Sequence, residues 1–368
     1  MANKSKINYE KVLSEVQDKY KAHITIPDDR PLLEEIPRLQ TGIFNLDYAL
    51  GGGVPIGRIS KVYGPKSGGK TMIWLKTVAR AQNTCRKCRS FRFKCACKKK
   101  EGFRCIWFDV EGVWENKWAR RMGVDTANML LSTPETAEQV IDVGEAIIKS
   151  GEADLIVIDS LAAMTPSVEL EVSSEKWQQG LGARLLNKMF RTWGSAMTER
   201  RNEGQLPTIL LINQIRLKIG VMYGNPETVP GGVGQGFSSS AEIRVWAGKY
   251  DYPDGKVPAS VLIKFEVVKN KTYINHIGGT YRFWVRDDKT QDKITGDTNS
   301  FEEMYKMAKL NNLIKEEKNT VEFEGITAPN HKQLRLAIEG DTNSYHLFYD
   351  FLLKHLLLGG TYEFSEKA

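Results

Sequence analysis

Apolar runs of five to seven residues alternate with amphipathic stretches through the first 215 residues of the chain. Cys105–Asp109, Leu155–Asp159 and Thr208–Gln214 are apolar runs that each end on a polar residue. Thr136–Lys149 and Gly180–Arg200 carry apolar side chains at helical spacing, which predicts amphipathic helices. Buried strands alternating with such helices are typical of an α/β fold, with a mainly parallel sheet covered on both faces.

The pattern changes after Gln214. Residues 215–240 are rich in Gly and Ser and form a loop too long for an ordinary connection. Three runs then predict meandering antiparallel strands: Ile243–Trp246, Val261–Val267 and Tyr281–Val285. Helical spacing returns from Ser300. We therefore predict a core over residues 36–285 and a small C-terminal α+β domain over residues 286–368.

Residues 1–35 form a separate N-terminal segment that is rich in charge. Apolar residues at i, i+3, i+4 and i+7 predict an amphipathic helix between Tyr9 and Tyr20. Two interpretations stay open for this helix. It packs on its own domain, or it is a polymerisation arm that docks on a neighbouring subunit.

One glycine-rich stretch lies between a predicted strand and a predicted helix, and it fits the phosphate-loop pattern G-x-x-x-x-G-K-[ST]. Its backbone N–H groups and the following helix N-terminus are suited to phosphate oxygens. Lys70 is then expected to reach the β- and γ-phosphates of a nucleoside triphosphate, and the Thr71 hydroxyl to bind Mg²⁺. The stretch consists of Gly64, Pro65, Lys66, Ser67, Gly68, Gly69, Lys70 and Thr71.

Three polar residues at strand ends accompany this loop. Asp159 ends an apolar strand, where a phosphate-loop NTPase needs a second Mg²⁺-orienting acid. Glu111 lies just after another strand and can act as the general base for the attacking water. Gln214 ends a third strand, directly before the long loop, where its amide can detect the γ-phosphate. Ligands bind at the carboxyl edge of such sheets, so the three are expected to meet there.

The chain has 368 residues, no apolar run of 18 or more, and an N-terminus without the apolar core of a secretory signal. We expect a cytoplasmic protein with no membrane contact. The net charge of +7 is concentrated locally. Residues 84–104 hold nine basic residues against one acid, a net of +8, which leaves the rest of the chain near −1.

The same segment, residues 84–104, contains four of the five cysteines, as C-x2-C-x6-C-x-C. In a reducing compartment this clustering favours a tetrahedral Zn²⁺ site over disulfides. The predicted ligands are Cys85, Cys88, Cys95 and Cys97, whereas Cys105 is expected in the core. The basic residues, with Phe91 and Phe93 between them, favour contact with a DNA backbone, such as that of a duplex being captured. A subunit contact and a solvated charged surface are the alternatives.

The chain resembles RecA-type homologous recombinases, with residues 84–104 as an insertion. The resemblance covers about residues 40–275 and implies a RecA-like phosphate-loop ATPase core. The residues that carry it are the phosphate loop, Phe108–Glu111, Leu155–Ser160, Val267–Lys271 and, most specifically, Ile212–Thr228.

The resemblance implies how ATP is held. Lys70 and Thr71 bind phosphate and Mg²⁺, Glu111 activates water, and Gln214 senses the γ-phosphate. Lys269 and Lys271 are implied to contact the ATP of the adjacent subunit, so that the site is complete only in a filament. The same resemblance places Trp118, with Glu115 nearby, against the adenine; simple helix packing is the alternative for Trp118.

The resemblance also implies two DNA-binding loops, over residues 169–179 and 215–232. Arg184, Asn187 and Arg191 share one helical face and are implied to meet backbone phosphates, although a solvated polar face is the alternative. Apolar side chains such as Ile219 are implied to separate base triplets. The remaining implied contacts are Trp177, Gln178, Gln179, Ile215, Arg216, Lys218, Gly231 and Gly232.

The function that the resemblance implies is an ATP-dependent recombinase that forms filaments on single-stranded DNA and exchanges strands with a homologous duplex. Single-strand-binding or mediator proteins are further implied partners. The alternatives are a RecA-fold hexameric helicase or helicase loader, and an ATP-gated DNA-binding scaffold without strand exchange. The first loop and the region from Tyr281 depart from bacterial recombinases, and an acidic tail is missing. These departures favour a phage- or plasmid-encoded member.

Overall fold

The structure is a computed structural model. It describes residues 16–20, 36–171, 180–217, 227–228, 230, 234–318, 320–323 and 325–359. Its strands, numbered along the chain, are β1 Arg38–Leu39, β2 Val54–Pro55, β3 Ile59–Gly64, β4 Cys105–Asp109, β5 Met129–Ser132, β6 Leu155–Asp159, β7 Thr208–Gln214, β8 Arg216–Leu217, β9 Glu227–Thr228, β10 Ala241–Asp251, β11 Ser260–Asn270, β12 Ile277–Trp284, β13 Lys315–Glu317, β14 Thr320–Phe323 and β15 Ile326–Ala328.

The helices of the described residues include the amphipathic helices predicted over residues 136–149 and 180–200. They are α1 Phe44–Ala49, α2 Lys70–Gln82, α3 Asn116–Arg121, α4 Ala137–Ser150, α5 Ser167–Glu171, α6 Leu181–Asn202, α7 Gly234–Ser238, α8 Ser300–Leu310, α9 His331–Glu339 and α10 Thr342–Leu357. Residues 16–20, within the predicted N-terminal helix, are also helical. None of the helices in these ranges combines the length and apolar character needed to span a bilayer.

A central sheet joins eight of the described strands in the order β12-β11-β10-β3-β7-β6-β4-β5. The strands from β10 to β5 pair in parallel, and β11 and β12 add an antiparallel meander at one edge. This confirms the predicted α/β fold with a mainly parallel sheet. Because β3 lies between β10 and β7, the phosphate loop leaves from the middle of the sheet.

Alternate side chains of each strand enter two apolar cores, one on each face of the sheet. Trp107 of β4 packs in the core beneath α2, whereas Ile106 and Phe108 pack in the core beneath α4 and α6. The second core is tightly closed, since a Cβ on Gly144 of α4 would lie 2.0 Å from Trp193 of α6. Helices α4 and α6 therefore approach closely, and this fixes α6 on the sheet.

The C-terminal segment forms a small unit with its own core, in which α8, α9 and α10 pack with the three-stranded sheet β13-β14-β15. Phe44 of α1 inserts into this core. Tyr349 of α10 donates a 2.5 Å hydrogen bond to Asp47 of α1, which also accepts from the backbone of Thr41 at 2.7 Å. Burial raises the pKa of Asp47 to about 6, and these bonds oppose the rise. Helix α1 therefore anchors the C-terminal unit to the domain that holds the central sheet.

The cysteine-rich segment, residues 84–104, leaves the end of α2 and returns to the start of β4 at nearly the same point. An antiparallel bridge joins Cys85 to Gly102, and Phe103 N–H donates to Ala81 O at 3.1 Å. Arg86 makes a bidentate ion pair with Asp154, just before β6, at 2.9 and 3.1 Å. We call this segment the insert.

Candidate functional site

The phosphate loop turns sharply between β3 and α2. Gly64 has no room for a side chain, because a Cβ there would lie 1.9 Å from the carbonyl oxygen of Val245. Gly69 adopts a left-handed φ of 87° immediately before α2. Lys70 Nζ donates a 2.6 Å bond to Pro65 O, so the amino group is folded over the loop. Burial lowers the pKa of Lys70, and the nearby acids oppose this shift. The loop thus presents a cation and a helix N-terminus to one small volume, the arrangement that binds phosphate.

Asp159 at the end of β6 lies against the first turn of α2. Thr71 Oγ1 donates to Asp159 Oδ2 at 3.0 Å, so both predicted Mg²⁺ ligands are in contact. Burial raises the pKa of Asp159 to about 7, and repulsion from the Glu111 carboxylate adds to the rise. A carboxylate in contact with a hydroxyl offers the oxygen ligands that a hard divalent cation prefers, and a cation held there would relieve the repulsion between Asp159 and Glu111. The donor set therefore fits Mg²⁺.

Glu111 lies just beyond β4 and connects two other strand ends. Its Oε1 accepts a 2.5 Å bond from Ser160 Oγ, after β6, and a 2.8 Å bond from Gln214 Nε2, at the end of β7. Both bonds use one oxygen, which leaves Oε2 for a water molecule. The strand ends of β4, β6 and β7 are neighbours in the sheet, and this adjacency brings the three residues together. The carboxyl edge predicted from the sequence therefore gathers Glu111, Asp159 and Gln214.

Two further residues of this site are absent from the sequence-based set. Asp109 accepts from the backbone of Val113 at 3.1 Å and of Trp114 at 2.8 Å, which holds the turn that carries Glu111. Ser160 holds the Glu111 carboxylate itself. Asp109 ends a strand, as Asp159 does, so its position in the sequence could have identified it as a site residue. Ser160 carried none, because a serine after an acid is common in any helix start.

The root of the second predicted DNA loop is held by amide side chains. Asn213 Nδ2 donates to Pro230 O and to Gln235 Oε1, each at 2.9 Å, and Gln235 Nε2 donates to Pro230 O at 2.6 Å. Gln214 N–H donates to Asn213 Oδ1 at 2.9 Å. The start of the loop at Gln214 and its end before α7 are therefore tied to each other. Hydrogen bonds therefore connect Gln214 to both ends of the second predicted DNA loop.

The predicted phosphate-contacting face lies beside the end of that loop. Arg184, Asn187 and Arg191 are exposed on α6. A Cβ on Gly234, the first residue of α7, would lie 1.8 Å from Asn187 Oδ1, so α7 and α6 touch at this residue. Arg216 is also exposed, whereas Ile215 N–H donates to Gly64 O at 3.2 Å. The predicted contacts at Trp177, Gln178, Gln179, Lys218, Ile219, Gly231 and Gly232 lie outside the described residues.

Lys269 and Lys271 lie at the opposite end of the strands from the phosphate loop of their own chain. The strand register sets Lys269 opposite Glu242, and Glu242 in turn lies beside Lys61 near the start of β3. The phosphate loop begins only at Gly64, about 10 Å farther along that strand at roughly 3.3 Å per residue. Both lysines donate to backbone carbonyls of α7, Lys271 at 2.8 Å. They are thus unsuited to their own nucleotide and attached to the helix that ends the second loop.

The predicted adenine-stacking residue has a packing role in the single chain. Trp118 is half-buried on α3 and meets Phe283 edge-on, with ring centroids 6.2 Å apart. Glu115 is exposed at the residue before α3. The contact with Phe283 is the simple helix packing that was the alternative for Trp118, and adenine stacking stays a prediction.

The four clustered thiols converge. The Sγ atoms of Cys85, Cys88, Cys95 and Cys97 all lie within 4.8 Å of one another. Tetrahedral coordination at a Zn–S distance of about 2.3 Å needs sulfurs about 3.8 Å apart. The observed spread, with Cys88 and Cys95 sulfurs 3.4 Å apart, is compatible with this. Cys97 N–H also donates to Cys95 Sγ at 3.3 Å, a bond that stabilises a thiolate. Cys105 lies apart in the core, where burial raises the pKa of its thiol.

The aromatic side of the insert packs on the C-terminal unit. Phe91 is buried and stacks on His346 of α10 with centroids 4.4 Å apart, and Phe93 stacks on the same ring from 6.1 Å. Lys94 lies 3.6 Å from Asp350 of α10. These contacts involve the two rings that, from their place among basic residues, were expected near DNA. The insert therefore connects α2 to the C-terminal unit, and its predicted contact with DNA stays a prediction for its other side.

His346 makes this junction sensitive to pH. The Arg80 guanidinium contacts its imidazole, and burial together with the charges of Arg80 and Lys94 lowers its pKa to about 3. A histidine with an unfolded pKa near 6.5 then costs stability as the pH falls, because only the unfolded chain takes up the proton. We expect the free energy of unfolding to fall by up to about 2 kcal/mol between pH 6.5 and 5 from this residue.

Urea unfolding of the wild type and of a His346→Gln variant across that pH range checks this expectation. Gln cannot take up a proton, so the stability difference between the two proteins should shrink as the pH falls. A difference that stays constant from pH 7 to 5 would contradict it.

Known proteins resemble this chain over the residues that build the candidate site. The sequence pattern of the RecA N-terminal domain matches residues 8–277. Protein RecA of Thermus aquaticus is 36% identical over 245 residues, which are 65% of this chain and 66% of that protein. The chain thus spans just under two thirds of the length of that relative. Among solved structures, the crystal structure of the RadB recombinase has a TM-score of 0.47 at 20% identity, over 67% of this chain and 96% of that one.

Proposed function

The chain belongs to the RecA family, and we propose that it is an ATP-dependent recombinase that forms filaments on single-stranded DNA and exchanges strands with a homologous duplex. The observation that carries the proposal is the 2.8 Å hydrogen bond from Gln214 to Glu111. It joins the carboxylate placed to activate water to the root of the predicted DNA loop. A self-contained NTPase has no need of that connection.

The nucleotide chemistry follows from the residues at the carboxyl edge. Lys70 and the backbone amides of the phosphate loop hold the triphosphate, and Thr71 and Asp159 hold Mg²⁺. The cation, when bound, neutralises charge that develops on the phosphate oxygens. Glu111 accepts the proton of the attacking water, while Ser160 keeps its carboxylate in place. Asp159 and Glu111 thereby divide cation binding and base catalysis between two neighbouring strand ends.

DNA binding is coupled to this chemistry through Gln214. When ATP is present, the amide exchanges Glu111 for the γ-phosphate and moves the root of the second loop, which Asn213 and Gln235 tie together. Arg184, Asn187, Arg191 and the two loops then hold the phosphates of a single strand. Hydrolysis reverses the exchange and releases DNA. Single-strand-binding or mediator proteins are further partners of such a filament.

The lysine pair completes the site of the neighbouring subunit. Lys269 and Lys271 lie about 10 Å or more from their own phosphate loop along the strand, so a head-to-tail neighbour is the partner that they fit. Their present contacts with α7 would break when ATP of the next subunit attracts them. That exchange links nucleotide binding in one subunit to the second DNA loop of the next.

Mixing two inactive variants tests the shared site and the function together. Lys70→Ala removes the phosphate-loop cation, and a Lys269→Ala, Lys271→Ala variant removes the pair; each alone should lack DNA-dependent ATP hydrolysis. In an equimolar mixture, random head-to-tail assembly restores about one quarter of the sites. Activity that stays absent in the mixture would contradict a shared site.

Negative-stain imaging of the wild type with single-stranded DNA and a non-hydrolysable ATP analogue tests the assembly, and a strand-exchange assay tests the activity. Helical filaments and exchanged product are expected. Closed rings would instead favour a hexameric motor, and filaments without exchange would favour a DNA-binding scaffold.

We also propose that the thiol cluster binds one Zn²⁺. Four convergent sulfurs without an open position are typical of a structural site, so the metal would stabilise the insert and take no part in hydrolysis. Such a site needs reduced thiols, as in the cytoplasm.

A further inference from the structure

The basic side of the insert faces a cavity of about 730 Å³. The cavity lies between the insert and the ends of the sheet where strands begin. Ile56 lies shortly before β3, Asp154 directly before β6, and Leu206 shortly before β7. The basic residues that line the cavity are Arg86, Lys87, Arg89, Lys98 and Lys99.

The acids of this cavity are already paired. Asp154 accepts both bonds from Arg86, and Glu101 lies 3.5 Å from Arg104. Within the described part of the chain, no carboxylate lies within ion-pair distance of Lys87, Lys98 or Lys99. The cavity therefore offers three exposed, uncompensated cations on one surface.

The cavity is held in shape by the same contacts that hold the insert. The ion pair from Arg86 to Asp154 ties one side of the insert to β6. Cys97 lines the cavity and belongs to the thiol cluster, directly before Lys98. The exposed residues Lys98 and Lys99 thus follow directly on a residue of the thiol cluster.

The position of the cavity separates it from the site proposed for single-stranded DNA. Both predicted DNA loops follow the carboxyl ends of β6 and β7, whereas the cavity lies at the opposite ends of the same strands. A five-residue strand such as β6 is roughly 16 Å long at about 3.3 Å per residue. A ligand in the cavity would therefore contact residues other than those predicted to hold single-stranded DNA.

The chemistry of the cavity favours a DNA duplex as that ligand. Its exposed groups are ammonium ions, which bind phosphates without reading sequence. Single strands need aromatic platforms for their bases, and the rings of the insert, Phe91 and Phe93, are stacked on His346 instead. We propose that this basic cavity binds the phosphate backbone of duplex DNA and so delivers a second DNA segment to the filament. The proposal rests on the proposed recombinase function.

A triple variant, Lys87→Gln, Lys98→Gln, Lys99→Gln, tests it without touching the nucleotide or loop residues. Duplex affinity is measured without nucleotide as a function of NaCl concentration. Loss of three phosphate contacts is expected to flatten the slope of log K against log[salt] by about 2.7. Hydrolysis of ATP stimulated by single-stranded DNA should stay at the wild-type rate.

The matched control removes the same charge elsewhere, at the exposed residues Lys249, Lys256 and Lys289. The proposal is overturned if the triple variant keeps the wild-type slope, or if the control flattens it equally. It is also overturned if the triple variant loses binding to polyglutamate but not to duplex, which would indicate an acidic protein partner. Failure of the recombinase function would differ, since the wild type itself would then lack hydrolysis stimulated by single-stranded DNA.

Discussion

Replacing Glu111 by Gln is expected to lower the rate of DNA-dependent ATP hydrolysis by about 100-fold or more, the usual contribution of a general base. The substitution keeps the size of the side chain and its Oε1 acceptor, so the bonds from Ser160 and Gln214 can still form. ATP and DNA binding should therefore persist. Because the proposed role of hydrolysis is to release DNA, the variant is expected to stay trapped as an active filament.

Single-turnover hydrolysis, together with filament lifetime on single-stranded DNA, measures both parts of this prediction. Glu135→Gln is the matched control, since Glu135 is an exposed carboxylate just beyond β5 at the same edge of the sheet. It should hydrolyse ATP like the wild type. Hydrolysis at the wild-type rate in the Glu111→Gln variant would refute the assigned base.

Removing the proposed Zn²⁺ from the thiol cluster is the second change with a large expected effect. The purified protein should contain one Zn²⁺ per chain, and Cys88→Ser or a strong chelator should remove it. Loss of the metal loosens the insert, and with it the stacking of Phe91 on His346 and the pair between Lys94 and Asp350. A loss of about 2–3 kcal/mol from these contacts would lower the melting temperature of a chain of 368 residues by roughly 3–4 °C.

Metal content, thermal unfolding and limited proteolysis of the insert check this expectation. Cys105→Ser is the control for the loss of a thiol, because Cys105 lies in the core and outside the cluster. It should keep full metal content, whatever its effect on core packing. A Cys88→Ser protein with wild-type zinc content and unchanged protease resistance would contradict the structural metal.

The residues at the carboxyl edge of the sheet could be predicted because each of them belongs to a short local sequence pattern. The phosphate loop has a fixed pattern, and Asp159, Glu111 and Gln214 each follow an apolar strand. Once those strands are parallel neighbours, their ends must meet, as the contacts at 3.0 and 2.8 Å bear out. Parallel topology thus converts separate strand ends into one site.

The surroundings of that site depend on contacts that no local pattern encodes. Asn213 and Gln235 are ordinary amides until the chain returns and pairs them. Phe91 and Phe93 between basic residues suggested stacking on bases, but His346, 255 positions beyond Phe91, takes up both rings. Aromatic residues beside lysines fit a nucleic acid and a folded neighbour equally well, and only the position of α10 distinguishes them.

The close approach of the two ends of the insert has a consequence for how such a segment can be acquired. A Cβ on Gly102 would lie 2.0 Å from Gln82 O, and Phe103 bonds back to Ala81. The gap between α2 and β4 is therefore already bridged by the backbone at the base of the insert. A short turn can span the same gap, so the whole insert can be replaced as one unit. We expect its removal or exchange to leave unchanged the register of the strands that build the candidate nucleotide site.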